Sequence, residues 1–228
     1  VSADELELLD LGTLKIGFPI CEDVWHPDIV ARLKNMGADL IIIPNGSPYE
    51  SSKLAERQAT IKRRCKESNL PIIYLNLVGG QDDLVFDGGS FVCDHNGKIL
   101  CQFPQFVEKN WQVILERRKN SLAPLPNSLA EIGSRQSQDY KAVVLGLKDY
   151  VLKSNFNKVV IGLSGGIDSA LVTVMARDAL GPENVVCLAL PSKFNSKASL
   201  DDARRLSKNL GINFETISIQ EIIDKVDQ

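Results

Sequence analysis

The sequence predicts an α/β protein in two blocks, the second of which begins a doubly wound parallel sheet. Three observations carry that expectation. Short β-branched stretches alternate with longer helical ones along most of the 228 residues, the pattern of strands joined by crossover helices. The alternation fails over 116–136, "ERRKNSLAPLPNSLAEIGSRQ", where periodicity is lost and two prolines stand close together, so this stretch divides the blocks. Finally, "VVIGLSGGIDSALV" (159–172) runs a strand into a turn of serines and glycines and then into a second apolar stretch, as happens where a helix leaves the carboxyl edge of a parallel sheet.

In the first block, "TLKIGFPI" (13–20) reads as a strand, "DIVARLKNMG" (28–37) as a helix, "ADLIIIP" (38–44) as a strand, 51–69 as a long helix and "LPIIYLNL" (70–77) as a strand. "GGSFVCDHNGKILCQF" then places alternating stretches on either side of Asn96-Gly97, the strongest short-range hairpin signal. The second block reads as helix 136–153, strand 158–163, helix 168–180, strand 184–190, helix 197–210, strand 213–217 and a last helical stretch with Ile222, Ile223 and Val226 on one side. Leu200, Ala203, Leu206 and Leu210 form the face of helix 197–210 expected in the core. The expected domains are 1–117 and 136–228, with 118–135 as linker. Val1 is not an initiator Met, and "EIIDKVDQ" ends without cap or breaker, so the chain is expected to be an internal piece of a longer one.

Composition narrows the function classes. With 44% hydrophobic and 24% charged residues and a net charge of −3, the chain is ordinary globular protein without a basic field for nucleic acid. The runs Lys62-Arg63-Arg64 and Arg117-Arg118-Lys119 are expected to be solvated faces. Five cysteines, odd in number and scattered at 21, 65, 93, 101 and 187, suit reduced thiols and a cytoplasmic location. No signal segment or membrane-length apolar run is visible, so no membrane partner is expected. Cys93, His95 and Cys101 have no evident fourth ligand and read as a hairpin rather than a metal site.

The turn at 162–169 is the richest local signal. A Gly-rich loop between a parallel strand and a helix aims backbone N–H groups and the positive helix end in one direction, which suits a phosphate chain. Gly165 and Gly166 permit close backbone approach, and Ser164 and Ser169 add hydroxyls. The loop has neither the spacing nor the Lys of G-x-x-x-x-G-K-[ST], and its glycines do not fit G-x-G-x-x-G. Asp168 puts a carboxylate where anions bind, which implies a bridging Mg²⁺.

"SGGIDS" resembles the pyrophosphate-binding loop of the ATP pyrophosphatases, which cleave ATP between the α and β phosphates to activate a carbonyl as an adenylate. "GPENVVCLALPSKFNSKASLDDARRLSKNLGI" (181–212) is similar to the corresponding segment of NAD synthetases. The resemblance implies an ATP site formed by Gly162, Leu163, Ser164, Gly165, Gly166, Ile167, Asp168 and Ser169, with Leu190 beside the adenine.

In the first block, Cys21 stands at the carboxyl end of strand 13–20 with Glu22 and Asp23 directly after it, where α/β folds present nucleophiles. The only histidines are His26 and His95, which gives a Cys–His mechanism little support. "CEDVW" (21–25) resembles the nucleophile segment of the nitrilase-type glutamine amidotransferases, in which a Glu–Lys–Cys triad hydrolyses glutamine through a thioester. "NGSPYESSK" (45–53) is similar to another segment of that family and implies glutamine contacts by Ser47 and Lys53. "YLNLVGGQDDLVFDGGS" (74–90) resembles the pattern that follows. The family's Glu and Lys lie well upstream of the nucleophile, and Glu5, Glu7 and Lys15 match neither motif.

The pairing resembles the glutamine-dependent NAD⁺ synthetases. It implies the C-terminal part of a nitrilase-like α/β domain followed by the N-terminal part of an ATP-pyrophosphatase domain. The implied reaction amidates deamido-NAD⁺ to NAD⁺ with ammonia from glutamine, releasing AMP and pyrophosphate, with Mg²⁺ as cofactor and a homo-oligomer as the full-length form. Two alternatives stay open: an amidotransferase acting on a different carboxylate or carbonyl, and a catalytically incomplete nucleotide-binding or assembly module. The 228 residues alone are expected to be inactive, because the resemblance's Glu and Lys have no counterpart in residues 1–20, and aggregation-prone or only partly folded, because strand 13–20 is expected to lack partners and the second sheet to be incomplete.

Overall fold

The computed structural model describes residues 6–118, 121–193 and 196–226. Glu5, Lys119 of the second basic run, and Phe194 and Asn195 of the segment 181–212 lie outside the described residues. The chain divides into two compact units, 1–79 with 84–142, and 80–83 with 143–228.

The strand expected over 13–20 is shorter and is not alone. β1 (Leu8–Asp10) pairs antiparallel with β2 (Lys15–Gly17), Leu9 facing Ile16, across a turn in which Gly12 N–H donates to Asp10 Oδ1 at 2.8 Å. Three residues are too few to show an alternation, so β1 was not legible. After a short 3-10 turn, α1 (Pro27–Asn35) leads to β3 (Leu40–Asn45), α2 (Lys53–Ser68) and β4 (Ile72–Asn76). β2 pairs parallel with β3, and β3 with β4. β2 is therefore paired on both sides, and the expectation that it lacks partners is corrected.

Strands β5 (Val78–Gln81) and β6 (Leu84–Asp87) form a small two-stranded sheet. β7 (Phe91–Cys93) and β8 (Ile99–Gln102) are the expected hairpin and complete a six-stranded sheet in the order β1-β2-β3-β4-β7-β8. Asp94 organises its turn, accepting the N–H of Asn96 at 2.9 Å and of Lys98 at 2.8 Å through Oδ1. Gly97 adopts φ +78°, and a Cβ there would stand 2.7 Å from the carbonyl oxygen of Lys62 on α2. Only glycine lets this turn sit against the helix backbone.

The sheet has apolar side chains on both faces because β3 alternates. Ile41 and Ile43 join Val30 and Leu33 of α1 and Ile61 and Cys65 of α2 in the main core, whereas Leu40 and Ile42 point to the opposite face. On that opposite face lies a correction to the sequence reading. Residues at the start of the expected linker form β9 (Leu115–Arg118) and β10 (Ser121–Pro124), an antiparallel hairpin whose Leu122 is buried with Ile16 and Leu40. Its prolines flank or end strands rather than interrupt one, so they signalled an edge as much as a loop.

From α3 (Arg135–Lys153) onward the expected order holds: β11 (Val159–Gly162), α4 (Ile167–Leu180), β12 (Val185–Ala189), α5 (Lys197–Leu210), β13 (Asn213–Thr216) and α6 (Gln220–Val226). β11, β12 and β13 are parallel and adjacent in that order. Ser196 caps α5 by accepting the Ser199 N–H, and Gly211 at φ +71° ends it. Leu163, Ala176, Val185, Cys187, Ala203 and Ile212 form the core of this unit.

Leu122→Ala is expected to destabilise the first unit by about 2–4 kcal/mol, the range for a buried leucine truncated to alanine. Urea denaturation followed by tryptophan fluorescence measures it. A midpoint unchanged from wild type would mean that the hairpin does not hold this face of the sheet.

Candidate active site

Cys21 does not lie on a strand. It is the first residue of the 3-10 turn Cys21–Trp25, four residues beyond β2, and its φ is +48°. A non-glycine residue in the left-handed region carries strain that the surrounding structure must hold in place. Asp23 holds the start of the turn, since its Oδ2 accepts the Ile20 N–H at 2.8 Å while its own N–H donates to Ile20 O at 3.1 Å. That is the use of one of the two acids after the cysteine. Cys65, Cys93, Cys101 and Cys187 are buried, and among the five free cysteines Cys21 alone is partly exposed. Contact with the Cys93 thiol, together with burial, pushes Cys65 up and keeps it protonated.

Ser47 lies in a buried hydrogen-bonded network, and Lys53 stands apart from it at the start of α2. Ser47 is buried; its N–H donates to Asn76 Oδ1 at 3.0 Å and its Oγ accepts from Arg57 Nε at 3.1 Å. Arg57 Nη2 donates to the carbonyls of Ser47 and Pro48 at 2.8 and 2.7 Å, and Nη1 meets Asp87 Oδ1 at 2.7 Å. Both charged side chains are essentially inaccessible, at 0% and 1% exposure. Asp87 is completed by Gln105 Nε2, which donates to Oδ2 at 2.7 Å. Burial pushes the neighbouring Tyr74 phenol up to about 12; the Arg57 cation opposes the rise, Cys21 adds to it, and the Ser47 hydrogen bond lowers it. Lys53 is half-buried, with Nζ 3.2 Å from Glu56 Oε2 and 5.2 Å from the centroid of the Trp25 ring.

Arg57, Asp87 and Asn76 had no assigned role in the sequence. The available signal was position: Arg57, Ile61, Arg64, Cys65 and Ser68 are the buried stripe of α2, and a charge on an apolar stripe needs a partner. Arg64 also corrects the expectation for its basic run. It is buried, and donates through Nε to Val24 O at 3.0 Å and through Nη2 to Trp25 O at 3.3 Å. Arg117 is likewise engaged, donating to Asp39 Oδ1 at 3.3 Å and to the Thr13 carbonyl.

In the second unit the loop 162–169 follows β11 and opens α4, with Gly166 as N-cap. Gly165 has φ +89°, and a Cβ there would stand 2.2 Å from Ser199 O in the first turn of α5. The loop is tied by its own hydroxyls: Ser164 Oγ and Ser169 Oγ are 3.0 Å apart, Gly166 N–H donates to Ser164 Oγ at 3.2 Å, and Ser169 Oγ donates to Gly166 O at 3.1 Å. Gly162, Leu163, Ser164 and Leu190 line one cavity of about 250 Å³ together with Ser199 and Leu200. Gly165, Gly166 and Ile167 instead line a second cavity, about 350 Å³, on the α5 side with Asp202 and Arg205. Asp168 and Ser169 line neither. Asp168 is exposed in the first turn of α4, where the helix dipole favours its charge. Leu200, expected in the core, contributes to the first cavity, and Ser199 was not singled out at all.

The first unit thus holds a partly exposed cysteine at positive φ and a buried polar network, and the chain belongs to the carbon-nitrogen hydrolase family, whose model matches residues 2–122. The NAD synthase model matches residues 139–228. The chain is similar to the glutamine-dependent NAD(+) synthetase of Rhodobacter capsulatus, with 46% identity over 95% of this chain and 41% of that one. It is also similar to that of Xanthomonas campestris pv. campestris, with 44% identity over 91% and 38%. Among solved structures, the glutamine-dependent NAD+ synthetase of Acinetobacter baumannii in complex with adenosine diphosphate superposes with TM-score 0.88 at 35% identity, over 97% of this chain and 42% of that one. The chain thus spans about two fifths of the length of these relatives.

Breaking the buried pair is expected to cost about 3–5 kcal/mol for either Arg57→Met or Asp87→Leu, because each leaves a buried group uncompensated. The double variant Arg57→Met/Asp87→Leu should cost clearly less than the two single losses added together. Chemical denaturation of the four proteins gives the cycle, and strict additivity would show that the two residues do not stabilise one another.

Proposed function

We propose that this chain carries the glutaminase nucleophile and the nucleotide loop of an enzyme that amidates deamido-NAD⁺ with ammonia taken from glutamine. The observation behind the reading is the joint presence of a strained Cys21 turn in a carbon-nitrogen hydrolase unit and a Ser/Gly loop over a cavity in an NAD-synthase unit. The reading divides the chain as 1–117, linker 118–135 and 136–228, with the linker's strand Ser121–Pro124 packed on the first unit, and includes a cytoplasmic homo-oligomer. Cysteines that are all free support the location; no described helix is long and apolar enough to cross a membrane.

In the first half-reaction the Cys21 thiolate adds to the carboxamide carbon of glutamine. The C–N bond breaks, ammonia leaves carrying the proton that the Cys21 thiol gave up, and water then hydrolyses the thioester to glutamate and returns a proton to the thiol. Ser47 and Lys53 bind the substrate: Ser47 is fixed by Arg57 and Asn76, and Lys53 lies on Trp25 with Glu56 beside it. The proton acceptor and the oxyanion donor are assigned to no residue of this chain.

In the second half-reaction a carboxylate, a poor electrophile with a poor leaving group, is converted to an adenylate that the amine attacks, displacing AMP. The adenine lies in the cavity of Leu163, Leu190 and Leu200, and the loop 164–169 receives the phosphates at the helix N-terminus. Donors fixed before the reaction stabilise charge that grows on the departing pyrophosphate. Asp168 fits the role of Mg²⁺ ligand, being the loop's own carboxylate and exposed; the ion would complete its shell with phosphate oxygens and neutralise their charge.

Two substitutions in the full-length gene product test the halves separately. Cys21→Ala should abolish glutamine-dependent NAD⁺ formation, by at least about 1,000-fold given what a covalent nucleophile supplies, and leave formation from ammonium chloride near wild type. Equal loss with both donors would make Cys21 structural. Asp168→Ala should remove formation with either donor while glutamate release from glutamine persists; amidation at the wild-type rate would take Asp168 out of the site.

A further inference from the structure

Resting on the glutaminase reading of Cys21, we propose that Arg64 is the positioning residue of that nucleophile. Arg64 lies one turn of α2 beyond Ile61 and is 4% exposed. Its guanidinium neither lies free nor serves the sheet core. Nε and Nη2 donate to the carbonyls of Val24 and Trp25, the last two residues of the turn that begins at Cys21, and Nη1 pairs with Glu67. Carbonyls at the end of a helical turn have no partner within it, and a cation there also satisfies the local dipole. A planar, forked donor takes two adjacent carbonyls in a fixed geometry, which lysine's compact, rotatable ammonium does not preset.

The turn is therefore held at both ends. Asp23 holds the Ile20 N–H at its start and Arg64 holds the carbonyls at its finish. Between them Cys21 keeps φ +48°, a conformation that relaxes toward negative φ once one tether is cut. Relaxation rotates the Cα–Cβ bond and swings the sulfur away from its line of attack. Ser47 and Lys53 are fixed by Arg57, Asn76, Glu56 and Trp25, so glutamine still binds. Arg64 thus acts on the rate of attack rather than on substrate affinity.

The test uses the full-length gene product with Arg64→Lys and Arg64→Met, and Cys21→Ser as reference. For Arg64→Lys, kcat for glutamine hydrolysis should fall about 10- to 100-fold, as expected for a sub-ångström to 1 Å misplacement of a reacting group. KM should stay within about threefold and ammonia-driven synthesis near wild type. The rate of Cys21 alkylation by iodoacetamide at fixed pH should change in both variants, with Arg64→Met the slower. Unchanged kcat and alkylation in Arg64→Lys overturn the proposal, as does a loss shared equally by the ammonia-driven reaction, which would mark general support of the fold. Should Arg64→Met fail to fold, Arg64→Lys alone decides on the same criteria. If Cys21→Ser retains full glutamine-dependent activity, the glutaminase reading itself fails, an outcome separate from any result at Arg64.

Discussion

The Arg57–Asp87 pair is the interaction on which the first unit's site depends. Two opposite charges removed from water are unfavourable unless nearly every donor and acceptor is matched, and here the matching is what joins the chain. One guanidinium takes the carbonyls of Ser47 and Pro48, the hydroxyl of Ser47 and a carboxylate. The carboxylate in turn takes Gln105, with Asn76 bridging Ser47 and Asp87 at the end of β4. Segments far apart in sequence, near 47, 57, 76, 87 and 105, become one rigid surround.

The two candidate sites reach functional geometry by related means. Each follows a strand that is parallel to a neighbour, and each has a residue at positive φ where chain direction changes, Cys21 in one and Gly165 in the other. In the first the residue must carry a side chain, so external hydrogen bonds hold the strain. In the second the residue must carry none, because α5 occupies the space a Cβ would need. A candidate nucleophile and a candidate binding loop thus place opposite demands on the same kind of corner.

Much of this was legible in the sequence, for physical reasons. The second unit's elements match their expected bounds closely because β-branched strands and long helices alternate there with little interference. The loop 162–169 was readable because Ser and Gly at that density are uncommon in a simple cap. The first unit was harder. β1 and β10 are short, and the packing that seats β10 depends on contacts distant in sequence, Leu122 meeting Ile16 and Leu40. The roles of Arg57 and Arg64 were hidden for the same reason: their partners, Asp87 and the carbonyls of Val24 and Trp25, lie 30 and about 40 residues away, beyond any local pattern. A run of basic residues looks solvated until the face it lies on is known.

The hydroxyl ties within the nucleotide loop have a thermodynamic consequence. Ser164, Gly166 and Ser169 hydrogen-bond one another, so the loop's own side chains hold its backbone in place. Association then carries a smaller entropic penalty than a floppy glycine loop would impose. The same ties compete with an incoming anion for the Gly166 N–H, so some of the enthalpy of each new contact offsets one that is lost.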